Sequence, residues 1–411
     1  MLLGDRFGHL AYSTLVHPGD TWAEMRESLE TYAPAVKARV SPDAPYGLSL
    51  RISAASAATL AADPEERARL RAWLDAHDMY VFTVNAFPYG AFKRRAVMAE
   101  VYEPDWATED RVSYTCRVAD ILAEITAEAV APSIQTAPLA FRPKVTTASD
   151  VDLLTENLLR VVAHLVALER RTGRRVKLAL EPEPACFLET TDETIRYFRD
   201  RLYAPDGTER LARLTGLPAS EVHGLVRRHL GLVFDICHQS VQFEDIAVAL
   251  RSLYAAGVPI FKLQAAAALW APSVTPQAVA ALEPFTETIY LSQTTERRDG
   301  RLTRFLNLAE AIAAWRLDPA GQREWRTHVH VPVFLDDLGE LRTTRLGIEA
   351  ALRVHAETPL SDHLEIETYT WDVLPAHLRT DEIAGAVSRE LEWVRQALAD
   401  AVHDTTPPAS G

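Results

Sequence analysis

The 411-residue chain has few cysteines and no long apolar run. Its three cysteines, Cys116, Cys186 and Cys237, are too few and too scattered for a disulfide framework or a structural zinc cluster, so we expect reduced and mostly buried thiols. No apolar run reaches the length of a membrane span, and the N-terminus lacks the basic region and apolar core of a signal peptide. Together these absences predict a cytoplasmic protein.

The chain also has no excess of basic residues. The chain has 43 Lys and Arg against 57 Asp and Glu, a net charge of -14, whereas a nucleic-acid surface would need a basic stripe. No Walker loop, no Gly-x-Gly-x-x-Gly after a strand and no Gly-x-Ser-x-Gly elbow is present, so the nucleotide-binding and serine-hydrolase classes lack support. A small anionic ligand held by a local Arg or Lys stays possible.

Strand-like and amphipathic helical segments alternate through most of the length. With 48% hydrophobic residues the chain can bury a large core. Asp20, Asp63 and Asp150 precede helical patterns as capping residues should, and the predicted helices cover 21–39, 64–77, 108–128, 151–172 and 246–256. The predicted strands lie near 9–15, 47–53, 79–85, 129–135, 176–181, 231–236, 258–264 and 363–369. Eight such strands with helices between them predict an α/β fold, a (β/α)8 TIM barrel.

We predict a single barrel domain over residues 1–404, with an insertion at about 285–340 before the last strand. Two extra strand candidates, 288–293 and 327–334, flank Arg297-Arg298-Asp299-Gly300, which indicates a hairpin or flap over the barrel mouth. Residues 405–411 are predicted to be a disordered tail.

Carboxylates stand at the ends of several predicted core strands. Glu181 ends one apolar run, Asp235 ends another, and Glu365 and Glu367 share one face of the last strand. Isolated buried carboxylates are costly, and the C-terminal strand ends of a barrel carry its functional groups. The recurrence therefore indicates an active site. Of the last pair we choose Glu367, because it lies nearer the end of the strand.

These acids predict a divalent-metal site. Glu181, Asp235 and Glu367 with a neutral donor, Gln264 or one of His328 and His330, would form an oxygen-rich site that suits Mn²⁺, Mg²⁺ or Co²⁺, or Zn²⁺ if two histidines take part. The alternatives are salt bridges for the glutamates, an ordinary hydrogen-bonded pair of Asp235 with His238, and an edge strand with two solvated histidines. We expect Asp235 as a ligand and His238 either binding substrate or orienting a ligand.

Other polar and aromatic residues would bind the substrate. Asn85-Ala86-Phe87-Pro88-Tyr89-Gly90 is typical of a rigid aromatic loop at a pocket rim, and tryptophans such as Trp22 would either add walls or lie in the core. Lys262 would bind a phosphate or carboxylate, or balance the acids. The predicted substrate-binding residues are His17, Trp22, Asn85, Tyr89 and His328.

Taken in order, these segments resemble one family. They are His17–Trp22, Asn85–Gly90, Pro104–Trp106, Leu180–Pro184, Phe234–Gln239, Lys262–Gln264, His328–Pro332 and Glu365–Trp371. The combination resembles the EboE metabolite-traffic family, of the xylose-isomerase-like TIM-barrel superfamily that includes sugar-phosphate isomerases and epimerases. The resemblance covers about residues 9–375. It implies a divalent metal, a ligand set at Glu181, Asp235 with His238, Gln264 and Glu367, and a sugar or cyclitol ligand with or without a phosphate.

The resulting hypothesis is a metal-dependent isomerase or epimerase of a polyol or keto-cyclitol. Glu181 and Glu367 would exchange a proton through an enediolate, while His238 and Lys262 orient substrate oxygens and His330 adds a metal ligand. One alternative is a metal-dependent hydrolase or phosphoesterase, with further ligands from His17, Glu183, His328 and His330. Another is a cyclitol-binding or trafficking protein without turnover.

Overall fold

The computed structural model describes residues 1–4, 6–92, 98–286, 289–372, 374–375 and 382–405. The strands are β1 (His9–Tyr12), β2 (Tyr46–Arg51), β3 (Met79–Asn85), β4 (Ser133–Thr136), β5 (Lys177–Leu180), β6 (Leu230–Asp235), β7 (Ile260–Ala265), β8 (Ala267–Ala271), β9 (Thr294–Arg298), β10 (Arg301–Phe305), β11 (Arg323–Val331), β12 (Asp337–Leu338), β13 (Leu341–Thr343) and β14 (His363–Ile366). The helices are α1 (Trp22–Val40), α2 (Ala54–Ala62), α3 (Pro64–Ala76), α4 (Glu109–Ile125), α5 (Ala148–Thr172), α6 (Thr191–Tyr197), α7 (Pro205–Thr215), α8 (Ala219–His229), α9 (Ile236–Val241), α10 (Ile246–Ala255), α11 (Pro276–Leu282), α12 (Leu308–Leu317), α13 (Arg345–Glu357) and α14 (Ile383–Thr405).

Parallel strands form the barrel that the alternating pattern predicts. Within the described ranges, eight of them pair in the order β1-β14-β7-β6-β5-β4-β3-β2. A parallel bridge between Ser13 and Ser49 joins the two ends of this sheet, so the sheet closes on itself. The (β/α)8 prediction is confirmed. Its closure brings the C-terminal ends of all these strands to one mouth.

Local sequence sets where the outer helices begin. Asp63 caps α3 through the backbone N–H of Glu66, with Pro64 at the first helical position, as predicted. The other two predicted caps are wrong by a few residues, because a threonine takes the role and forms a capping box with the acid three positions on. These boxes pair Thr21 with Glu24 and Thr147 with Asp150.

The insertion is larger than predicted and forms its own antiparallel sheet, in the order β10-β9-β11-β8-β13-β12. It begins at β8, directly after β7, rather than near residue 285. The Arg297–Gly300 segment turns the β9–β10 hairpin, with Asp299 and Gly300 at positive φ. The predicted strand at 288–293 is wrong for its described part, 289–293, and residue 288 lies outside the described residues. Alanine-rich β8 escaped prediction because alanine favours strands weakly.

The last helix ends the described chain. α14 runs to Thr405, one residue into the predicted tail, and residues 406–411 lie outside the described part. Among the helices that the structure describes, none is long and apolar enough to cross a membrane.

Candidate metal centre

Two glutamates leave β5 at the barrel mouth. The Glu181 carboxylate accepts a hydrogen bond of 2.5 Å from the Nε2 of Gln135, which stands on neighbouring β4. Glu183 Oε1 accepts from the Tyr102 hydroxyl at 2.8 Å, while Glu183 Oε2 is buried without a partner in the described structure. Both side chains are buried.

Asp235 ends β6 and begins α9, and its two oxygens serve different purposes. Oδ1 accepts the backbone N–H groups of Cys237 and His238 at 2.6 and 3.3 Å, which caps the short helix. Oδ2 is fully buried and has no hydrogen-bond partner in the described structure. It lies 3.5 Å from His238 Nε2 and 3.7 Å from His330 Nε2.

Three histidines, His238, His328 and His330, direct their Nε2 atoms toward one another. His238 Nδ1 lies 3.0 Å from the Pro182 carbonyl oxygen, and His328 Nδ1 lies 2.7 Å from Gln293 Oε1. His330 Nδ1 contacts the backbone oxygen of Glu367. Each acceptor requires a proton on Nδ1, so in the neutral rings each Nε2 carries a bare lone pair.

These lone pairs face one another. His238 Nε2 and His328 Nε2 are 3.1 Å apart, and His328 Nε2 and His330 Nε2 are 3.2 Å apart. With all three Nδ1 positions protonated and each ring neutral, neither of the two Nε2–Nε2 contacts has a hydrogen to share. Two nitrogens bound to one ion at about 2.1 Å lie about 3.0 to 3.4 Å apart. The cluster, with the unpartnered Asp235 oxygen, therefore fits a divalent cation.

Burial suppresses charge at this site. It raises the pKa of Glu181 well above its ordinary value, with Glu367 adding to the shift, and raises the pKa of Glu183 to about 8. Burial likewise lowers the pKa of His238 to about 3 and that of His328 well below its ordinary value. The protein alone thus favours neutral acids and neutral imidazoles. A divalent cation would restore the ionised carboxylates.

The two glutamates of the last strand have different surroundings. Glu367 Oε1 accepts from Asn85 Nδ2 at 2.8 Å, and its carboxylate lies within 4.8 Å of donor oxygens of Glu181 and Asp235. Glu365 instead lies inside the barrel, paired with Lys262 at 3.0 Å. Burial and the nearby Glu365 carboxylate raise the pKa of Glu367 well above its ordinary value.

Lys262 and Gln264 belong to this inner layer. The Lys262 ammonium donates to both Glu365 oxygens at 3.0 Å and to Gln135 Oε1. Gln264 Nε2 donates to Glu365 Oε1 at 2.8 Å. Gln264 Oε1 is buried and has no hydrogen-bond partner among the described residues. Gln135 links Lys262 to Glu181, because it accepts from the lysine and donates to the glutamate. Lys262 is not part of the described lining of the cavity at the barrel mouth.

A cavity lies beside the donors, and Glu181, Glu183, His238, His328 and Glu367 form part of its lining. Of the predicted substrate-binding residues, Asn85 and His328 line it. The other three lie elsewhere. His17 stacks on Tyr32 with ring centroids 4.2 Å apart, Trp22 donates to Glu66 at 2.9 Å, and Tyr89 packs edge-on against Tyr114.

Two residues that support the candidate site, Gln293 and Tyr102, belong to no motif that the sequence analysis identified. Gln293 sets the His328 tautomer and also donates to Tyr102 and Pro184. Tyr102 holds Glu183. The one available signal was the polar Ser292-Gln293 pair after the apolar Ile289-Tyr290-Leu291, which is weak because such pairs are common at strand and loop boundaries. These two residues reach the site only through the fold.

Comparison with known proteins gives distant structural similarities. No protein-family profile and no curated protein matches the chain. A D-tagatose 3-epimerase-like protein is 11% identical, with a TM-score of 0.48 over 97% of this chain and 100% of the other. A xylose isomerase-like TIM-barrel protein from Mycobacterium smegmatis, in complex with magnesium, is 10% identical, with a TM-score of 0.48 over 98% and 99%. The IolI protein with a bound zinc is 12% identical, with a TM-score of 0.46 over 97% and 99%. Similarities this distant transfer neither ligand nor activity.

Proposed function

We propose that this protein is a divalent-metal-dependent isomerase or epimerase that moves a proton on a sugar- or cyclitol-type polyol. The carrying observation is a pair of buried carboxyls, Glu181 and Glu367, beside a cluster of lone pairs that fits a cation. The substrate class is the one implied by the family resemblance.

Asp235 Oδ2 and the Nε2 atoms of His238, His328 and His330 would hold the cation. Glu181 and Glu367 would lie beside it, because they form a second group of donors with Asp235. When bound, it would supply Lewis-acid polarisation of substrate oxygens, as divalent ions do in many enzymes. The set is richer in nitrogen than the oxygen-rich site expected from the sequence, which favours Zn²⁺, Co²⁺ or Mn²⁺ over Mg²⁺. Gln264 stays a proposed ligand through its Oε1, which is buried without a hydrogen-bond partner in the described structure, while its Nε2 donates to Glu365.

Glu181 and Glu367 would exchange the substrate proton. Proton transfer at a carbon next to a carbonyl needs one group to remove the proton and one to return it. The two carboxyls are near enough for this exchange, because donor oxygens of Glu181, Glu367 and Asp235 lie within 4.8 Å of one another. Asn85 and Gln135 hold the two carboxyls in place through their amide N–H groups. Lys262 would act one step further away, by orienting Gln135.

Solvent-isotope exchange tests this proposal. The metal-loaded protein is incubated in D₂O with a panel of aldoses, ketoses and keto-cyclitols, each of which has the carbonyl group that the reaction needs, and deuterium on carbon is followed by NMR. We expect exchange with at least one member, reduced about 10²- to 10⁴-fold in Glu181→Gln and in Glu367→Gln.

The matched control is Glu27→Gln, an exposed substitution on α1 that should leave the exchange rate unchanged. Absence of exchange across the whole panel, in protein shown to contain metal, would contradict the proposal.

A second candidate is a metal-dependent hydrolase or phosphoesterase. Its support is the number of converging donors, since Glu181, Glu183, Asp235, His238, His328, His330 and Glu367 exceed what one ion takes. Two-metal sites serve such reactions. Elemental analysis decides between the candidates. One metal per chain favours the isomerase, and two or three per chain with phosphatase activity favour the hydrolase.

A further inference from the structure

The lining of the cavity combines apolar walls with a polar floor of carboxyl and imidazole groups. The walls include Leu15, Phe87, Phe92, Met98, Val101 and Leu291. Among the described residues, no lysine or arginine lines the cavity. These six apolar side chains offer no hydrogen bond to a hydroxyl group of a substrate.

Two small apolar clusters build these walls, and both are separate from the main barrel core. One contains Leu15 and Phe92, and the Phe92 ring is tilted against that of Tyr290 with ring centroids 4.8 Å apart. The other contains Phe87 and Leu291. Val101 packs against both clusters and joins them. The cavity is therefore lined by two apolar clusters as well as by the carboxyls and imidazoles.

Three of the polar side chains that line the cavity are already engaged in hydrogen bonds. Asn85 donates to Glu367 and accepts from the backbone N–H of Phe87. Gln135 donates to Glu181 and accepts from Lys262, and the Tyr102 hydroxyl donates to Glu183 and accepts from Gln293. A polyol with hydroxyls on every side would leave several of them unpaired against the walls, and each would weaken binding by roughly 10-fold.

From this asymmetry we infer that the substrate is amphiphilic, a polyol whose oxygens reach the floor while a hydrocarbon or aromatic substituent fills the apolar walls. This inference rests on the proposed function and specifies the substrate class of the same site. A substituent of phenyl size removed from water between these walls should tighten binding by about 10- to 100-fold relative to methyl.

Calorimetric titration of the metal-loaded protein with matched ligand pairs tests the inference. The pairs are the methyl and benzyl monoethers of inositol, and the methyl and phenyl β-glucopyranosides. We expect the aryl member to bind about 10- to 100-fold more tightly. Equal affinities, or no binding by any aryl member, would overturn the inference.

Near-isosteric variants test whether the aryl preference arises at the apolar walls without creating a void in the packing. Val101→Thr combined with Met98→Gln makes the wall polar at nearly constant volume and should reduce the aryl preference at least 5-fold. The matched control is Val248→Thr on α10, a 59% exposed residue outside the cavity lining, which should keep the preference. An aryl preference that survives the double variant would overturn the placement.

Measuring both binding and deuterium exchange distinguishes failure of the isomerase proposal from failure of the amphiphilic-substrate inference. Aryl preference in binding, without deuterium exchange on any aldose, ketose or keto-cyclitol or on the benzyl ether of one, would contradict the isomerase proposal and leave the amphiphilic ligand intact. Deuterium exchange that is equally efficient on the methyl and benzyl monoethers of a ketohexose, which keep the carbonyl group that the reaction needs, would contradict the amphiphilic substrate and leave the isomerase intact.

Discussion

Asp235 shows how one side chain links local structure to chemistry. Its Oδ1 caps α9, which carries His238, while its Oδ2 faces the imidazole nitrogens of His238 and His330. Capping fixes the carboxylate plane, so the second oxygen cannot turn away to solvent. The unpartnered oxygen is tolerable in a folded protein only if a cation or a proton satisfies it.

Asp235→Asn separates these two roles. Asparagine is as good an N-cap as aspartate, so α9 should form, but the amide removes the charge that faces the histidines. We expect metal affinity to fall at least 10- to 100-fold, measured by elemental analysis after dialysis against a buffered metal.

Asp245→Asn is the matched control. Asp245 caps α10 through the N–H of Val248 in the same manner, with no member of the donor cluster beside it among the described contacts. Its metal content should equal that of the wild type. Equal metal loss from both variants would show that capping, and not the Oδ2 charge, explains the effect.

At the scale of elements, the buried Glu390 of α14 forms hydrogen bonds with two segments that carry residues of the candidate site. Glu390 Oε1 accepts from the backbone N–H of Val333, just after β11, and from the Thr368 hydroxyl beside Glu367. Burial raises the pKa of Glu390 from 4.5 to about 7. The native state therefore binds this proton more tightly than the unfolded chain does.

The sign of the resulting pH dependence follows from linkage. For an acid with a raised native pKa, the stabilisation is fully present below pH 4.5 and is lost as the pH rises through about 7. Glu390→Gln keeps a neutral side chain at all pH values. The free energy of unfolding of the variant minus that of the wild type should grow by up to about 3 kcal/mol between pH 5 and 8.

Urea unfolding at several pH values measures this difference. The control is Glu392→Gln, an exposed position on the same helix, for which the difference should stay constant. A constant difference for Glu390→Gln as well would show that the native carboxyl titrates like an unfolded one.

Two glycines offer opposite tests of backbone conformation. Gly300 has a φ of 77° at the tip of the β9–β10 hairpin, and a Cβ there would contact nothing. Gly300→Ala should therefore destabilise by about 1 kcal/mol through strain alone. Gly224 lies inside α8 with equal room for a Cβ, so Gly224→Ala should stabilise by about 0.5 to 1 kcal/mol. Thermal unfolding checks both, and the same sign for both would contradict the conformational argument.

At the scale of the whole molecule, the cation and the fold should stabilise one another. The donors come from β5, β6, α9, β11 and the end of β14, so a bound ion connects the barrel to the insertion sheet. Free metal at about 100 times its dissociation constant should add about 2.7 kcal/mol to the free energy of unfolding.

Chelation measures this coupling. EDTA should lower the unfolding midpoint of the wild type and leave that of Asp235→Asn nearly unchanged. An unchanged midpoint in the wild type, with metal removal verified by elemental analysis, would show that the donor cluster folds without help from a cation.

The sequence predicted the barrel well because periodicity and burial are local properties. All eight barrel strands begin within four residues of their predicted positions, since continuous apolar runs between amphipathic helices leave few other arrangements. The insertion was harder. Alanine-rich β8 carries no strand signal of its own, and it becomes a strand because β11 and β13 pair with it.

For the candidate site, the sequence alone determined which strand ends carry acids, because each apolar run visibly ends in one. Only the tertiary structure decided their roles. Glu365 and Glu367 are two residues apart and share a face, yet Lys262 and Gln264 reach the first while Asn85 reaches the second. The convergence of His238, His328 and His330, and the Nδ1 partners that leave their lone pairs bare, depend on contacts between residues up to 90 positions apart. Spacing along a chain cannot encode such contacts, because they exist only once the sheet has closed.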